Sequence, residues 1–226
     1  MSELFDIVLG SPTGELEEPS EELMFLTPAP ASTIVAEGII NGFGKWSLDE
    51  NGLLTINGKG DMPDRISDYS DTPVPWKSLW NNVRSIYIAD GITRIGNNVF
   101  YRFEELTTVY LPNSVTCIGQ DAFRACRKLV QIDIPSGVTI IEDCAFWDCH
   151  ELVHVNLPNT LCVIGCSAFR RCFSLTSITI PNSVRRLESL VFEECFSLRK
   201  VTMPQRFDRL LFKLEYGIPK RIVTFT

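Results

Sequence analysis

Apolar residues along this chain fall into columns when the sequence is laid against itself with an offset of 23, the separation of Pro112 from Pro135. Pro112, Pro135, Pro158, Pro181 and Pro204 form one column, and Phe100, Phe123, Phe146, Phe169 and Phe192 form another. A third holds Leu106, Leu129, Leu152, Leu175 and Leu198. A fourth holds Val109, Ile132, Val155, Ile178 and Val201, with Leu111, Ile134, Leu157, Ile180 and Met203 two places on. Apolar Val109 and Leu111 alternate with polar neighbours at the period of a half-buried strand. The proline that follows lacks a backbone donor and ends the ladder. Each strand is therefore short.

Past the proline come an inward branched residue (Val115), an Ile-Gly pair (Ile118, Gly119) and an Ala-Phe-x-x-Cys run (Ala122, Phe123, Cys126). The last spacing predicts one or two helical turns facing the core. One copy cannot bury these side chains by itself, whereas stacked copies turn each column into a continuous buried ladder. The columns predict a repeat solenoid, mostly β with short helical turns, with a parallel sheet along one side.

The string Leu-x-x-Ile-x-Leu-Pro-x-x-Val-x-x-Ile-Gly-x-x-Ala-Phe-x-x-Cys resembles the BspA-like (TpLRR-type) class of leucine-rich repeats, over roughly residues 83 to 212. The resemblance implies a right-handed leucine-rich repeat coil with one parallel sheet, in a bacterial cell-surface or secreted protein that works in adhesion. Departures from the string are Glu142 and Glu188 in place of Gly, Phe103 where later copies have Cys, and a degenerate last copy.

Flanking text divides the chain into three parts. Residues 1–33 are an acidic, Pro-rich stretch that reads as a disordered leader or linker. Residues 34–82 form an N-terminal capping segment, in which Trp46-Ser-Leu48 and Leu54-Thr-Ile56 alternate around Asp49-Glu-Asn-Gly52. Asn-Gly favours a hairpin turn because both residues tolerate positive φ. Trp46, Trp76 and Trp80 belong to this cap. Residues 83–226 are the solenoid of 23-residue repeats. Val223-Thr-Phe225 resembles the strand columns at an offset of 22 (223 − 201), so a seventh strand is expected there, entered through a turn at Tyr216–Pro219. Its open edge invites self-association.

Charge narrows the function classes. Residues 1–44 hold eight acids and no Lys or Arg, so taking them from the net −7 leaves +1 for the remainder. A near-neutral solenoid without a basic stripe is a poor nucleic-acid binder. The first residues lack the basic and apolar regions of an export signal and no run is long enough to span a membrane, so a surface location rests on the resemblance and the alternative is cytoplasmic.

Four of the eight cysteines, Cys126, Cys149, Cys172 and Cys195, recur at the repeat period beside the Phe column and read as small buried residues. Cys117, Cys144, Cys162 and Cys166 fall at other positions with no pairing pattern, and the two histidines, His150 and His154, lie in other columns. No metal site is expected. Nucleophile elbow, metal-binding helix motif and phosphate loop are all missing, so no catalytic residue or cofactor is assigned.

What remains is surface. Outward strand positions give two columns, of which Tyr87, Tyr110, Thr108, Gln131, Asp133, His154 and Asn156 are the candidate binding residues. Asp133 and His154 are a candidate polar pair. The paired tyrosines supply large contact area at low entropic cost. Phe173 and Phe196 on the other side would mark a second patch if exposed. The leading expectation is a non-catalytic protein-binding module that uses the sheet face, with host extracellular matrix, a plasma glycoprotein or another microbe's surface as the partner implied by the resemblance. The alternatives are a cytosolic scaffold that self-associates through the C-terminal edge, and a carbohydrate-binding module that stacks sugars on the tyrosines.

Overall fold

The computed structural model describes residues 32–40, 42–65, 75–208 and 218–226, and from Thr33 onward they belong to one compact unit. In chain order the strands are β1 (Ile34–Ile40), β2 (Gly44–Asp49), β3 (Leu53–Gly58), β4 (Gly60–Asp61), β5 (Ser85–Ile88), β6 (Ile92–Ile95), β7 (Thr108–Tyr110) and β8 (Cys117–Ile118). They continue with β9 (Gln131–Asp133), β10 (Ile140–Ile141), β11 (His154–Asn156), β12 (Val163–Ile164), β13 (Ser177–Thr179), β14 (Arg186–Leu187), β15 (Lys200–Met203) and β16 (Val223–Phe225).

Odd-numbered strands from β5 onward carry the alternating segment, and parallel registers advance by one repeat: Ile86 faces Val109, Ile132 faces Val155, and Ile178 faces Val201. The last step is shorter, with Val201 opposite Val223. β16 is thus the seventh strand, and the missing residue has been lost from the coil before it. Of the turn expected at Tyr216–Pro219, Tyr216 and Gly217 lie outside the described residues, as do residues 1–31 of the acidic leader. β7, β9, β11, β13 and β15 each stop just before a proline, whose carbonyl accepts the N–H three residues on, as from Val115 to Pro112 at 3.1 Å and from Val138 to Pro135 at 3.0 Å. That turn sends Val115 and Val138 into the core, where both are fully buried.

A second, narrower parallel sheet was not anticipated: β4, β6, β8, β10, β12 and β14 line up on another side of the coil. Its strands are the Ile-Gly segments, most of them two residues long, with Ile118, Ile141, Ile164 and Leu187 turned inward. Two residues are too few to show an alternation, so only the stacked coils reveal a ladder.

The Ala-Phe-x-x-Cys run forms linked turns and not the expected helical turns. Two residues per copy, four apart, take positive φ: Asp121 (53°) and Ala125 (59°), Cys144 (57°) and Asp148 (64°), Ser167 (55°) and Arg171 (59°). This bend lets alternate N–H groups point at the following coil. Asp121, Phe123 and Ala125 donate to the carbonyls of Asp143, Ala145 and Trp147 at 3.0, 2.8 and 2.7 Å. A helix would have spent those donors within its own coil. The turn ladder satisfies buried backbone groups between coils, as the two sheets do.

Inside, the Phe column is a continuous stack. Ring centroids are 5.2 Å apart from Phe100 to Phe123, 5.5 Å to Phe146, 5.3 Å to Phe169 and 5.9 Å to Phe192. Such pairs add about 0.5–1.5 kcal/mol each beyond burial. Trp76 lies on Phe100 at 6.2 Å and Trp46 meets Trp76 edge-on at 6.1 Å, so two tryptophans close the N-terminal end of the stack.

The capping strands are joined to the solenoid by hydrogen bonds. β2 and β3 form the expected antiparallel hairpin, with Gly52 at φ 85° in its turn. β1 adds an outer antiparallel strand, and β3 pairs parallel with β5.

Candidate functional site

Alternation along each short strand puts one residue in the core between two that face out, as Val109 lies between Thr108 and Tyr110. The outward side chains form rows across the sheet. Tyr87 is the register partner of Tyr110, and on its other side Tyr87 faces Thr55 of β3. The row continues through Ser47 to Glu37 of β1. The candidate face therefore extends across the capping strands. Further along, Asp133 faces Asn156 and Gln131 faces His154. The expected Asp133–His154 pair is thus replaced by Asp133–Asn156, in which Asn156 Nδ2 donates to Asp133 Oδ1 at 2.6 Å. Tyr87, Tyr110 and Thr108 are half-buried, while Gln131, Asp133, His154 and Asn156 are exposed.

The sheet is not evenly knit. Strand pairing joins β1, β2, β3, β5 and β7, then β9 with β11, then β13, β15 and β16. Where β11 and β13 part, a shallow hollow opens between His154 and Asn156 on one side and Ser177 and Thr179 on the other, with Asn159 and Pro181 at its end. Two of the candidate residues, His154 and Asn156, line this hollow.

On the turn side, charges and rings interleave in a column that the sequence contains at the repeat offset: Tyr101, Arg124, Trp147, Arg170. The Arg124 guanidinium lies 4.0 Å from the Trp147 ring and 5.4 Å from Tyr101, and Arg170 lies 5.3 Å from Trp147. Such sandwiches contribute about 0.5–2 kcal/mol each, depending on exposure. The basic residues here are matched to acids: Arg124 to Asp121 (3.2 Å), Arg127 to Glu104 (3.3 Å), Lys128 to Glu105 (2.7 Å), Arg170 to Glu193 (2.8 Å) and Arg171 to Asp148 (3.0 Å). The Glu194 hydrogen bond is the main influence that raises the Arg170 guanidinium. Next to this column His150, Phe173 and Phe196 stack at 4.4 and 5.5 Å. Phe173 is half-buried between its neighbours, and Phe196 is 69% exposed.

Glu142, one of the departures from the repeat string, has a structural role. Arg94 Nη1 bonds Asp64 Oδ1 at 2.8 Å, and Arg94 Nη2 reaches Asn97 Oδ1 at 2.6 Å and Glu142 Oε2 at 3.3 Å. Cys117 Sγ donates to Glu142 Oε1 at 3.4 Å. Burial opposes the Arg94 charge, yet the Asp64 hydrogen bond and the Glu142 and Asp64 charges outweigh it and raise the guanidinium. Burial, then the Glu142 charge, pushes the Cys117 thiol up to about 11. A carboxylate two coils beyond Arg94 thus ties the capping loop to the repeats. Among the described residues no group of three or more His, Cys, Asp and Glu could hold a metal ion, and no helix is long and apolar enough to cross a membrane.

Short parallel strands repeated at a fixed period, a polar outer face and an aromatic spine together define a leucine-rich repeat solenoid. The family model for the BspA type leucine rich repeat region matches residues 79–199 in six copies, and the chain belongs to that family. A leucine-rich repeat protein from Eubacterium ventriosum is similar at 26% identity and TM-score 0.68, over 75% of this chain and 44% of that one. The T. pallidum leucine rich repeat protein is similar at 28% identity and TM-score 0.53, over 72% of this chain and 69% of that one. The pneumococcal vaccine antigen PcpA shares the fold at 17% identity and TM-score 0.50, over 77% of this chain and 51% of that one. No curated protein sequence matches. The chain spans less than half the length of the E. ventriosum protein.

Proposed function

We propose that the chain is a non-catalytic recognition module whose sheet face binds a protein partner. The observation that carries this reading is the register of Tyr87 with Tyr110, two amphipathic rings side by side in a row that runs unbroken into Thr55 and Ser47. Around them the face carries hydroxyl and amide groups with few charges, a composition suited to a specific polar interface. Family membership favours a role in adhesion, with a host matrix protein, a plasma glycoprotein or a microbial surface protein as the ligand.

The test is affinity capture from host and bacterial surface extracts with the native chain and with the Tyr87→Ala/Tyr110→Ala double variant, after circular dichroism has shown equal folding. A partner held by the native chain and lost at least tenfold by the variant supports the sheet face. Equal capture places the contact elsewhere.

A second reading rests on β16, which pairs with β15 and has no further strand beside it among the described residues. In that reading the chain is a scaffold that adds copies of itself at this edge. A constant monomer mass across a hundredfold concentration range removes it.

A further inference from the structure

We propose that Cys144 and Cys166 are a modification site, a thiol pair that closes into a disulfide between successive coils when a small-molecule disulfide is supplied.

The eight cysteines separate by what their sulfurs do. The four ladder thiols are buried and bonded: Cys126, Cys149, Cys172 and Cys195 donate to the carbonyls of Phe100, Phe123, Phe146 and Phe169 at 3.1–3.3 Å. The other four are half-buried. Of these, Cys117 and Cys162 lie on or beside β8 and β12, with β10 between them, so they are about 10 Å apart at the usual strand spacing. Cys162 precedes β12 and Cys166 opens the turn after it, so the strand lies between them.

Cys144 and Cys166 differ. The Cys144 N–H donates to the Cys166 carbonyl across the turn ladder at 2.9 Å. A backbone N–H to carbonyl bond of this length between adjacent segments holds the two Cα atoms roughly 5–6 Å apart, within the roughly 4.4–6.8 Å Cα separation that a disulfide spans. Burial first, then Asp121, pushes the Cys144 thiol up to about 11, and Cys166 is among the groups it feels. The Cys166 sulfur makes only long hydroxyl contacts, 3.4 Å to Ser189 and 3.7 Å to Ser167, which a rotation about its Cα–Cβ bond can give up. The spacing of 22 (166 − 144) joins two different repeat columns, which is why no pairing shows in the sequence.

The chemistry balances as thiol–disulfide exchange. One cysteine thiolate attacks a sulfur of glutathione disulfide, whose S–S bond breaks and releases one glutathione thiolate. The second cysteine thiolate attacks the protein-bound sulfur of that mixed disulfide and releases the other glutathione. Two cysteine thiols and one glutathione disulfide become one cystine and two glutathione thiols. The link falls on the turn side, so the sheet face is left as it is.

The experiment incubates the full chain with excess glutathione disulfide in mildly alkaline buffer, quenches with iodoacetamide in denaturant and maps the peptides. Tryptic cleavage after Lys128 and Arg170 leaves both residues in one peptide, so chymotrypsin is used to cut after Phe146 and Trp147, separating Cys144 from Cys149. The expected product is a Cys144–Cys166 cross-linked pair lighter by two hydrogens, with the ladder cysteines carrying the alkylating group. In Cys144→Ser and Cys166→Ser, the remaining partner should instead keep glutathione. Glutathione left on either residue of the native chain, a link from either to another cysteine, or both thiols unchanged while a model dithiol oxidises overturns the proposal.

Discussion

Cys149 Sγ lies 3.2 Å from the carbonyl oxygen of Phe123 in the preceding coil and donates to it, while the same oxygen accepts the Cys126 N–H at 3.2 Å. The ladder cysteine is thus more than a small apolar filler. It satisfies the second lone pair of a fully buried carbonyl, and the arrangement repeats from coil to coil.

Cys149→Ala should cost about 1–2 kcal/mol, from the lost donor and the small cavity together. Cys162→Ala, at a half-buried position, should stay within about 0.5 kcal/mol. Urea denaturation in the presence of reductant compares the two. Equal losses would show that the thiol-to-carbonyl contact contributes nothing of its own.

The aromatic spine predicts a sharp contrast between two phenylalanines. Phe146 is stacked on both faces and fully buried, so Phe146→Ala should cost about 3–5 kcal/mol. Phe196 is 69% exposed at the end of the outer stack, and Phe196→Ala should cost under about 1 kcal/mol. Thermal melts rank them, and a reversed order would contradict the stacking of the spine.

Stability should fall in alkaline solution. The thiols of Cys117 and Cys144 are raised from an ordinary 9.0 to about 11, and those of Cys126, Cys149 and Cys172 are raised as well. Below 9 both folded and unfolded chains keep these protons, so the folded state's preference for the neutral thiol is fully present. Between about 9 and 11 the unfolded chain releases protons that the folded chain retains, and the balance moves toward unfolding. The urea midpoint under reductant should drop across that window, and drop less in a Cys117→Ala/Cys144→Ala variant. A flat or rising midpoint contradicts the burial argument.

Gly137 sits where one coil passes close against the backbone of the one before. A Cβ there would lie 2.0 Å from the Asn113 carbonyl oxygen and 2.7 Å from that of Val115, both backbone atoms that cannot rotate away. Gly137→Ala should therefore separate the coils and cost about 2–3 kcal/mol, the upper part of the overpacking range. Retention of the native denaturation midpoint would show that the contact relaxes cheaply.

The fold was legible in the sequence because every buried position recurs at one offset, so Phe123, Leu129 and Val109 each announce a ladder. The turn side was not. Ala122, Phe123 and Cys126 have helical spacing, and the residues that bend the chain, among them Ala125, Ser167 and Leu190, are not types that favour positive φ. Stacked coils impose that conformation, and local preference signals it only at Asn98, Asp121 and Asp148. For the face, alternation alone gave Tyr87, Tyr110 and their neighbours. Its extension through Thr55 and Ser47 was hidden because β3 meets β5 at an offset of 32 (85 − 53), outside the repeat period. The interleaving of Tyr101, Arg124, Trp147 and Arg170 was visible as a column, but only their geometry shows rings sandwiched by guanidinium groups.

Through the narrow sheet, the turns and the paired strands of the wide sheet, hydrogen bonds run from one coil to the next. A pull between Thr33 and Thr226 therefore loads the coils in series, and the weakest junction yields first while the others hold. Each coil peeled away frees 23 residues and about 80 Å of slack. Under tension such a molecule pays out in increments, as a shock absorber does, and a single-molecule force trace should record that staircase.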